Sequence, residues 1–350
     1  MSARSLKPGW RMVTFEEGTS FTRKFVPGQT LFGKRRAYQR KVAFAEFEGI
    51  CSGDILTFEP KSTDALLPEL LPFICQTDAF FEHALNTSAG SLSPRTSWSA
   101  LQGFQFPLPP LDEQKRIAEI LWAADEAVEA YTIAYNKLVK LSEAIVECDI
   151  CSMLYPWQPL GSVLTAILAG KSVVGSTMPA KPNEYGVLKV SAVGATGFKP
   201  DENKRLLRSE DFLHRYRINN GALLITRCNT TALVGRVCIV QSDFHHLMLC
   251  DKTLQLILDE NIVNIRFVYE ALRSHRVRTQ IAGLATGTGG AMKNLSQQDL
   301  RSLLIPLPSK ESQNIAIHKV SQIAKQKDII SGWIARLVDL KKQVTRTLIC

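Results

Sequence analysis

The chain has 350 residues, 45% hydrophobic and 21% charged, with a formal net charge of +9. That balance excludes a disordered or membrane-embedded chain and suits two domains of about 100–150 residues each. No run approaches ~20 uninterrupted apolar residues, and the opening "MSARSLKPGWRMV" lacks the apolar centre of a signal peptide. The eight cysteines follow no framework spacing, so reduced thiols in a cytoplasm are expected. An isoelectric point near 9.1 favours a polyanionic partner.

In chain order, residues 1–110 read as a globular half. "PGQTLFGKRRAYQRKVAFAEFEGICSGDILTF" alternates β-rich runs with turn signals. Its basic stretch supplies Lys34, Arg35, Arg36, Arg40 and Lys41, with Tyr38 among them. Read as a strand, it turns Arg36, Tyr38 and Arg40 to one face, where cations could meet phosphates and base edges. Asp54, Glu59 and Lys61 imitate the acid–acid–lysine pattern of a metal-dependent nuclease, at a short separation.

"FPLPPLDEQKRIAEIL" predicts a strand that ends in prolines and releases into a helix over 111–150. Ile117, Leu121, Ala124, Val128, Tyr131, Tyr135 and Leu138 alternate steps of four and three, the seam of a coiled coil. The seam slips at Leu141 and resumes at Ile145 and Cys148. Asp112 and Glu113 occupy the first turn, where the helix dipole favours anions. Cys148 and Cys151 form a lone C-x-x-C with no second ligand pair at zinc-finger spacing.

Residues 151–308 read as a second globular half. Its candidate cations are Lys189, Lys199, Lys204, Arg205, Arg208, Arg227 and Arg236. Lys293 and Asn294 follow the glycine-rich "GLATGTGGAMKN", which lacks the Gly-Lys-Ser/Thr ending of a phosphate loop. Asn and Arg suit base edges because each can make two parallel hydrogen bonds, Asn to adenine and Arg to guanine. No G-x-S-x-G elbow or cofactor-binding glycine motif is found in the chain.

A second long helix is expected over 309–350. Ile323, Ile330, Leu337 and Val344 stand at strict sevens, with Val320, Lys327, Ile334, Lys341 and Leu348 as companions. Each helix would be ~55 Å long at about 1.5 Å per residue. Packing them antiparallel buries both seams and holds the globular halves apart, related by an approximate two-fold. The alternative lays each helix on its own half.

The halves are one module written twice. At an offset of 199, Pro107 meets Pro306, Leu108 meets Leu307, Pro109 meets Pro308 and Gln114 meets Gln313. Upstream, Leu101 falls on Leu300, Ser97 on Ser296, Arg95 on Asn294 and Gly90 on Gly289. With gaps, Gly28 pairs with Gly221, Lys41-Val42 with Arg236-Val237 and Cys51 roughly with Cys250. Trp10 lies 18 positions before Gly28, but Trp157 lies 64 before Gly221. The first half therefore lacks most of what the second carries around "YGVLKVSAVGATGFKPDENKRLL".

This layout resembles the specificity subunit of type I restriction-modification systems over almost the whole chain. The resemblance rests on "PLPPLDEQKRI" in company with "GKRRAYQRKVA", "GTGGAMKNLSQQDLRSLLIPLP" and "VLKVSAVGATGFKPDENK". It implies a mixed α/β fold with target-recognition domains at 1–110, shortened at its start, and 151–308. The spacer helices at 111–150 and 309–350 would form the coiled coil. Leu121, Val128, Tyr135, Ile323, Ile330, Leu337 and Val344 would carry it and its partner contacts. Each domain would read half of a split double-stranded DNA site. The resemblance further implies no catalytic residue, metal or directly bound cofactor. Two modification subunits would methylate adenine with S-adenosylmethionine, and restriction subunits using ATP and Mg would translocate and cut DNA. One rival is a half-reading subunit whose first domain mainly docks a partner. The other is a nuclease built on Asp54, Glu59 and Lys61.

Overall fold

The computed structural model describes residues 4–5, 21–90, 93–287 and 292–347. The chain divides into two compact units, residues 1–136 with 328–350 and residues 137–327. Each unit thus contains most of one globular half and one end of both long helices.

In the first unit, strands β1 (Arg4–Ser5), β3 (Thr30–Gly33), β4 (Val42–Phe44) and β6 (Ile55–Phe58) form an antiparallel sheet in the order β1-β4-β3-β6. β2 (Arg23–Phe25) and β5 (Gly49–Cys51) make a separate antiparallel pair. Helices α1 (Leu71–Ile74), α2 (Asp78–Asn86) and α3 (Trp98–Leu101) follow. Phe32 of β3 is fully buried, with the rings of Phe58, Phe80 and Phe81 5.7, 5.4 and 5.9 Å from its own. Large aromatic surfaces of this kind dominate the stabilisation of a small core. The long helix α4 spans Leu111–Ile145 and ends in a π turn, Val146–Ile150.

The second unit opens with β7 (Trp157–Pro159) and β8 (Leu164–Ala169), then β9 (Gly186–Leu188), β10 (Asn203–Arg205) and β11 (Arg217–Ile218). β12 (Leu223–Thr226), β13 (Cys228–Asn229), β14 (Val237–Ile239), β15 (Phe244–Met248) and β16 (Thr253–Leu258) complete the main sheets. Their orders are β14-β12-β16-β8 and β10-β9-β15-β11, the latter with β9 and β15 parallel. Then come α5 (Ile265–Arg273), α6 (His275–Leu284), β17 (Lys293–Asn294), α7 (Gln297–Ser302), β18 (Leu304–Pro306) and the long helix α8 (Lys310–Thr347).

The repeat is written in matching hydrogen bonds. Gly28 and Gly221 both take positive φ, 87° and 81°, and donate to Ala45 O and Val240 O, each at 2.8 Å. Glycine is needed there because a side chain disfavours that conformation. Gly33 N–H bonds Lys41 O at 2.9 Å as Thr226 N–H bonds Arg236 O at 2.9 Å. The backbones of Lys34 and Arg227 are held alike, through Asp54 and Thr96 in one unit and Lys252 and Leu295 in the other. Ala89 and Arg95 exchange two backbone bonds, as do Thr286 and Asn294. Ser97 and Ser296 each cap the helix that follows. β2 and β5 correspond to β11 and β15, while β9 and β10 have no counterpart among the described residues of the first unit. That is where the shorter first half was expected to differ. Trp10 and Gly289 lie outside the described residues.

The long helices pack antiparallel in each unit. In the first, Lys341 donates to Asp125, Tyr131 meets Trp333 with ring centroids 5.1 Å apart, and Val344 packs in the cluster of Leu121. In the second, Lys319 bonds Asp149 at 2.7 Å, and Ile317 and Val320 pack with Ile145, Val146 and Ile150. Leu121, Ile323 and Ile330 are buried, while Val128, Tyr135, Leu337 and Val344 are half-buried. Seam lysine Lys341 has found a carboxylate partner, which selects one register.

Three local expectations change. Phe106–Pro110 makes no ladder among the described residues, although β18 pairs with β7. Residues 34–41 are not a strand. Ala37 is drawn into the Phe32 core by a 3-10 turn, flanked by Arg36 and Arg40 in left-handed conformation, so alternation does not align Arg36, Tyr38 and Arg40. Cys148 is exposed because the π turn rotates the seam, and Ile150 is buried instead.

Replacing Gln313 with Leu strips the partner from Asn264 N–H, which should lower the unfolding free energy by about 1–3 kcal/mol in urea titration. Leu337→Asp should unpair α4 and α8 in the first unit, read as a loss of helical circular dichroism or a lower melting temperature. An unchanged melting curve would refute the paired-helix account.

Candidate nucleic-acid interface

In both units several of the expected cations gather around the link between two paired strands, β3–β4 and β12–β14. In the first unit that link is short and tightly bonded. Arg35 donates to Ser93 Oγ at 2.7 Å and lies 3.7 Å from Asp54, which also pairs with Arg95 at 3.4 Å. Arg40 donates to Asp78 and stacks 4.9 Å over the Phe81 ring. The Arg40 guanidinium, by hydrogen bond and charge, holds the Asp78 carboxyl below its ordinary range. Lys34, Arg36 and Lys41 enter no ion pair among the described residues. Tyr38 is 56% exposed beside them.

In the second unit the link carries β13, whose Cys228 and Asn229 pair with Asn294 and Lys293 of β17. A groove of about 590 Å³ opens between this edge and the loop 190–199, lined by Ser191, Lys199, Asn229, Leu233 and Arg236. The loop is closed by Lys199 N–H to Ala192 O at 2.8 Å and Gly194 N–H to Gly197 O at 3.0 Å. Asn229 Oδ1 accepts from Thr230 N–H at 2.9 Å, which orients its amide. Lys199, Asn229 and Arg236 therefore share one groove, while Lys293 sits across the strand pair from Asn229 with its ammonium 3.5 Å from Gly287 O. Arg227 adjoins them, bonded through its backbone to Leu295.

The other candidates lie elsewhere. Lys189 N–H bonds Glu202 O, and Lys204 stands exposed on β10. Arg205 is paired with Glu184 at 3.2 Å and Arg208 with Asp211 at 3.4 Å, leaving both with less free charge to offer an anion. Sequence reasoning missed Asn229, whose counterpart is an arginine, and Arg278 of α6. Burial, then the charge of Arg236, pushes the Arg278 pKa down.

The two acids of the nuclease pattern have structural occupations. Asp54 serves Arg35 and Arg95, and Glu59 accepts from Gln29 at 2.9 Å. No cluster of three or more His, Cys, Asp or Glu residues that could hold a metal occurs among the described residues. None of their helices is long and apolar enough to cross a membrane. Burial pushes the Cys151 thiol up to about 11, against about 9 for a free thiol.

Residues 14–138 match the family model described as type I restriction modification DNA specificity domain. The chain is 28% identical over 173 residues to the type I restriction enzyme EcoEI specificity subunit of Escherichia coli, covering 49% of this chain and 29% of that protein. It is 24% identical to the EcoKI specificity subunit of Escherichia coli strain K12, covering 75% and 60%. It thus spans less than two thirds of the length of these relatives. A type I restriction-modification S subunit from M. genitalium shares the fold at a TM-score of 0.62 and 13% identity, covering 95% of this chain and 84% of that one. A second structure, of type I system assembly, aligns at 0.56 and 18%, covering 96% and 85%. The resemblance and the mixed α/β architecture expected from the sequence are borne out.

With Cys350 replaced by Ser, a thiol-specific chromogen at pH 8 should label one cysteine fast. Cys148→Ser should abolish that phase, and its persistence would contradict the placement of Cys148.

Proposed function

We propose that this chain is the DNA sequence-specificity subunit of a type I restriction-modification complex, contributing recognition and no catalysis. The observation that supports it most is the hairpin module built twice, each copy presenting a basic edge and leading into one of two paired helices. Phosphate contacts by Lys34, Arg36, Lys41, Lys199 and Lys293 position the duplex. Arg227, Arg236, Asn229 and Asn294 are suited to base edges. Each unit reads half of a two-part site. Modification subunits bound to the helix pair methylate adenine with S-adenosylmethionine, and restriction subunits using ATP and Mg join through them.

A second reading has its own support. The first unit lacks counterparts of β9 and β10 among the described residues, and Arg35 and Arg40 are neutralised by Asp54 and Asp78. In that reading its role is chiefly docking.

Co-expression with its modification subunit in a methylation-free host, followed by sequencing of methylated adenines, decides between them. A split motif with two defined halves supports two readers, and one defined half assigns reading to the second unit. Affinity for duplex DNA should fall steeply with salt, by about −0.9 in log–log slope per neutralised phosphate. A flat salt response, or plasmid cutting by the chain alone with magnesium, would overturn the proposal.

A further inference from the structure

Each strand link is fastened to the helix beneath it by one arginine, but from opposite sides in the two units. In the first, the arginine belongs to the link. Arg40, at φ 49°, reaches down to Asp78 in the first turn of α2 and covers the Phe81 ring. The matching Gly33–Lys41 and Thr226–Arg236 hydrogen bonds align Arg40 with Gly235. Gly235 also takes positive φ, 68°. The matching caps Thr77 and Ser274 align α2 with α6 and put Arg278 where the first unit has Phe81.

In the second unit the helix supplies the arginine. Arg278 Nη1 donates to Val234 O at 2.7 Å and Nη2 to Ala232 O at 3.5 Å. Among the described loops, no backbone N–H reaches either carbonyl. A Cβ on Gly235 would lie 2.6 Å from Ile281 Cγ2 and 3.2 Å from Arg278 Nη1. The space that the arginine leaves from in one unit is closed in the other by Ile281 together with the arriving arginine. A forked guanidinium can hold two carbonyls at once, and a lysine ammonium offers no such fixed fork.

We infer that Arg278 and Arg40 are positioning residues that lock the two strand links, and so set where Asn229 and Arg236, or Lys34 and Arg36, meet DNA. This rests on the DNA-reading role proposed above. It adds that definition of each half-site depends on a residue that need not touch DNA.

Two measurements on the full-length chain test it. Amide hydrogen exchange comes first, without DNA. Arg278→Gln should speed exchange at residues 230–236 by about tenfold or more, as loss of a charge-assisted bond implies, with β12 and β16 unchanged. The second is selection of a randomised duplex library by the chain with its modification subunit. Arg278→Lys should blur one half of the consensus and leave the other sharp, and Arg40→Gln should do the reverse. Arg278→Lys replaces Arg278→Gln in the exchange experiment if the latter does not fold. Unchanged exchange overturns the clamp whatever DNA shows. Faster exchange with both halves still sharp makes the arginine structural only and also overturns the inference. A wild-type chain that enriches no consensus refutes DNA reading, and with it the recognition role of the clamp, even if exchange shows the lock to be real.

Discussion

One buried glutamine in each half ties the long helices to the globular halves. Gln114 and Gln313 are 1% and 0% exposed. Gln114 accepts Leu67 N–H at 2.9 Å and donates to Ala65 O and Pro109 O, both at 2.8 Å. Gln313 accepts Asn264 N–H at 2.8 Å and donates to Ile262 O and Pro308 O at 3.2 and 3.0 Å. Only an amide side chain can satisfy a backbone donor and backbone carbonyls at the same point. A carboxylate would only accept and an ammonium only donate. The prolines before it interrupt the chain and leave a carbonyl for the glutamine to take. That is why "PLPPLDEQ" and "PLPSKESQ" keep their prolines and glutamine while neighbouring residues differ.

What the sequence revealed follows from what one-dimensional order can encode. The gapless offset from Ser97 to Gln114 marks caps and hubs whose partners are close in sequence or in matching loops, so the text repeats. The helix seam was legible because burial every three or four residues needs no knowledge of the partner. The seam's end at Cys148 was not, since a π turn depends on burying Ile150 rather than on periodicity. Alternation failed at 34–41 for a similar reason. Burial of Ala37 bends the chain, and two arginines accept left-handed conformations that sequence statistics discourage.

The charged site was legible as a region and not as a set of residues. A basic stretch says where cations are dense, yet Asp54 and Asp78, remote in sequence, decide that Arg35 and Arg40 are engaged. Asn229 had no signal at all, because its counterpart is Arg36 and its place beside Lys199 depends on a loop with no counterpart among the described residues of the first unit. Arg278 carried no signal either, because the carbonyls it holds, Ala232 O and Val234 O, lie more than forty residues away in sequence.

The two units therefore keep one backbone plan and vary how it is made rigid. In the first, the positive charge of Arg40 is consumed by its own fastening to Asp78 and Phe81. In the second, fastening is delegated to α6, which leaves Arg236 beside the groove with no ion pair among the described residues. Moving the arginine from the link to the helix keeps the junction closed while changing which cations remain available to an anionic ligand. A repeat can in this way diverge in what it binds without a change in its hydrogen-bonded frame.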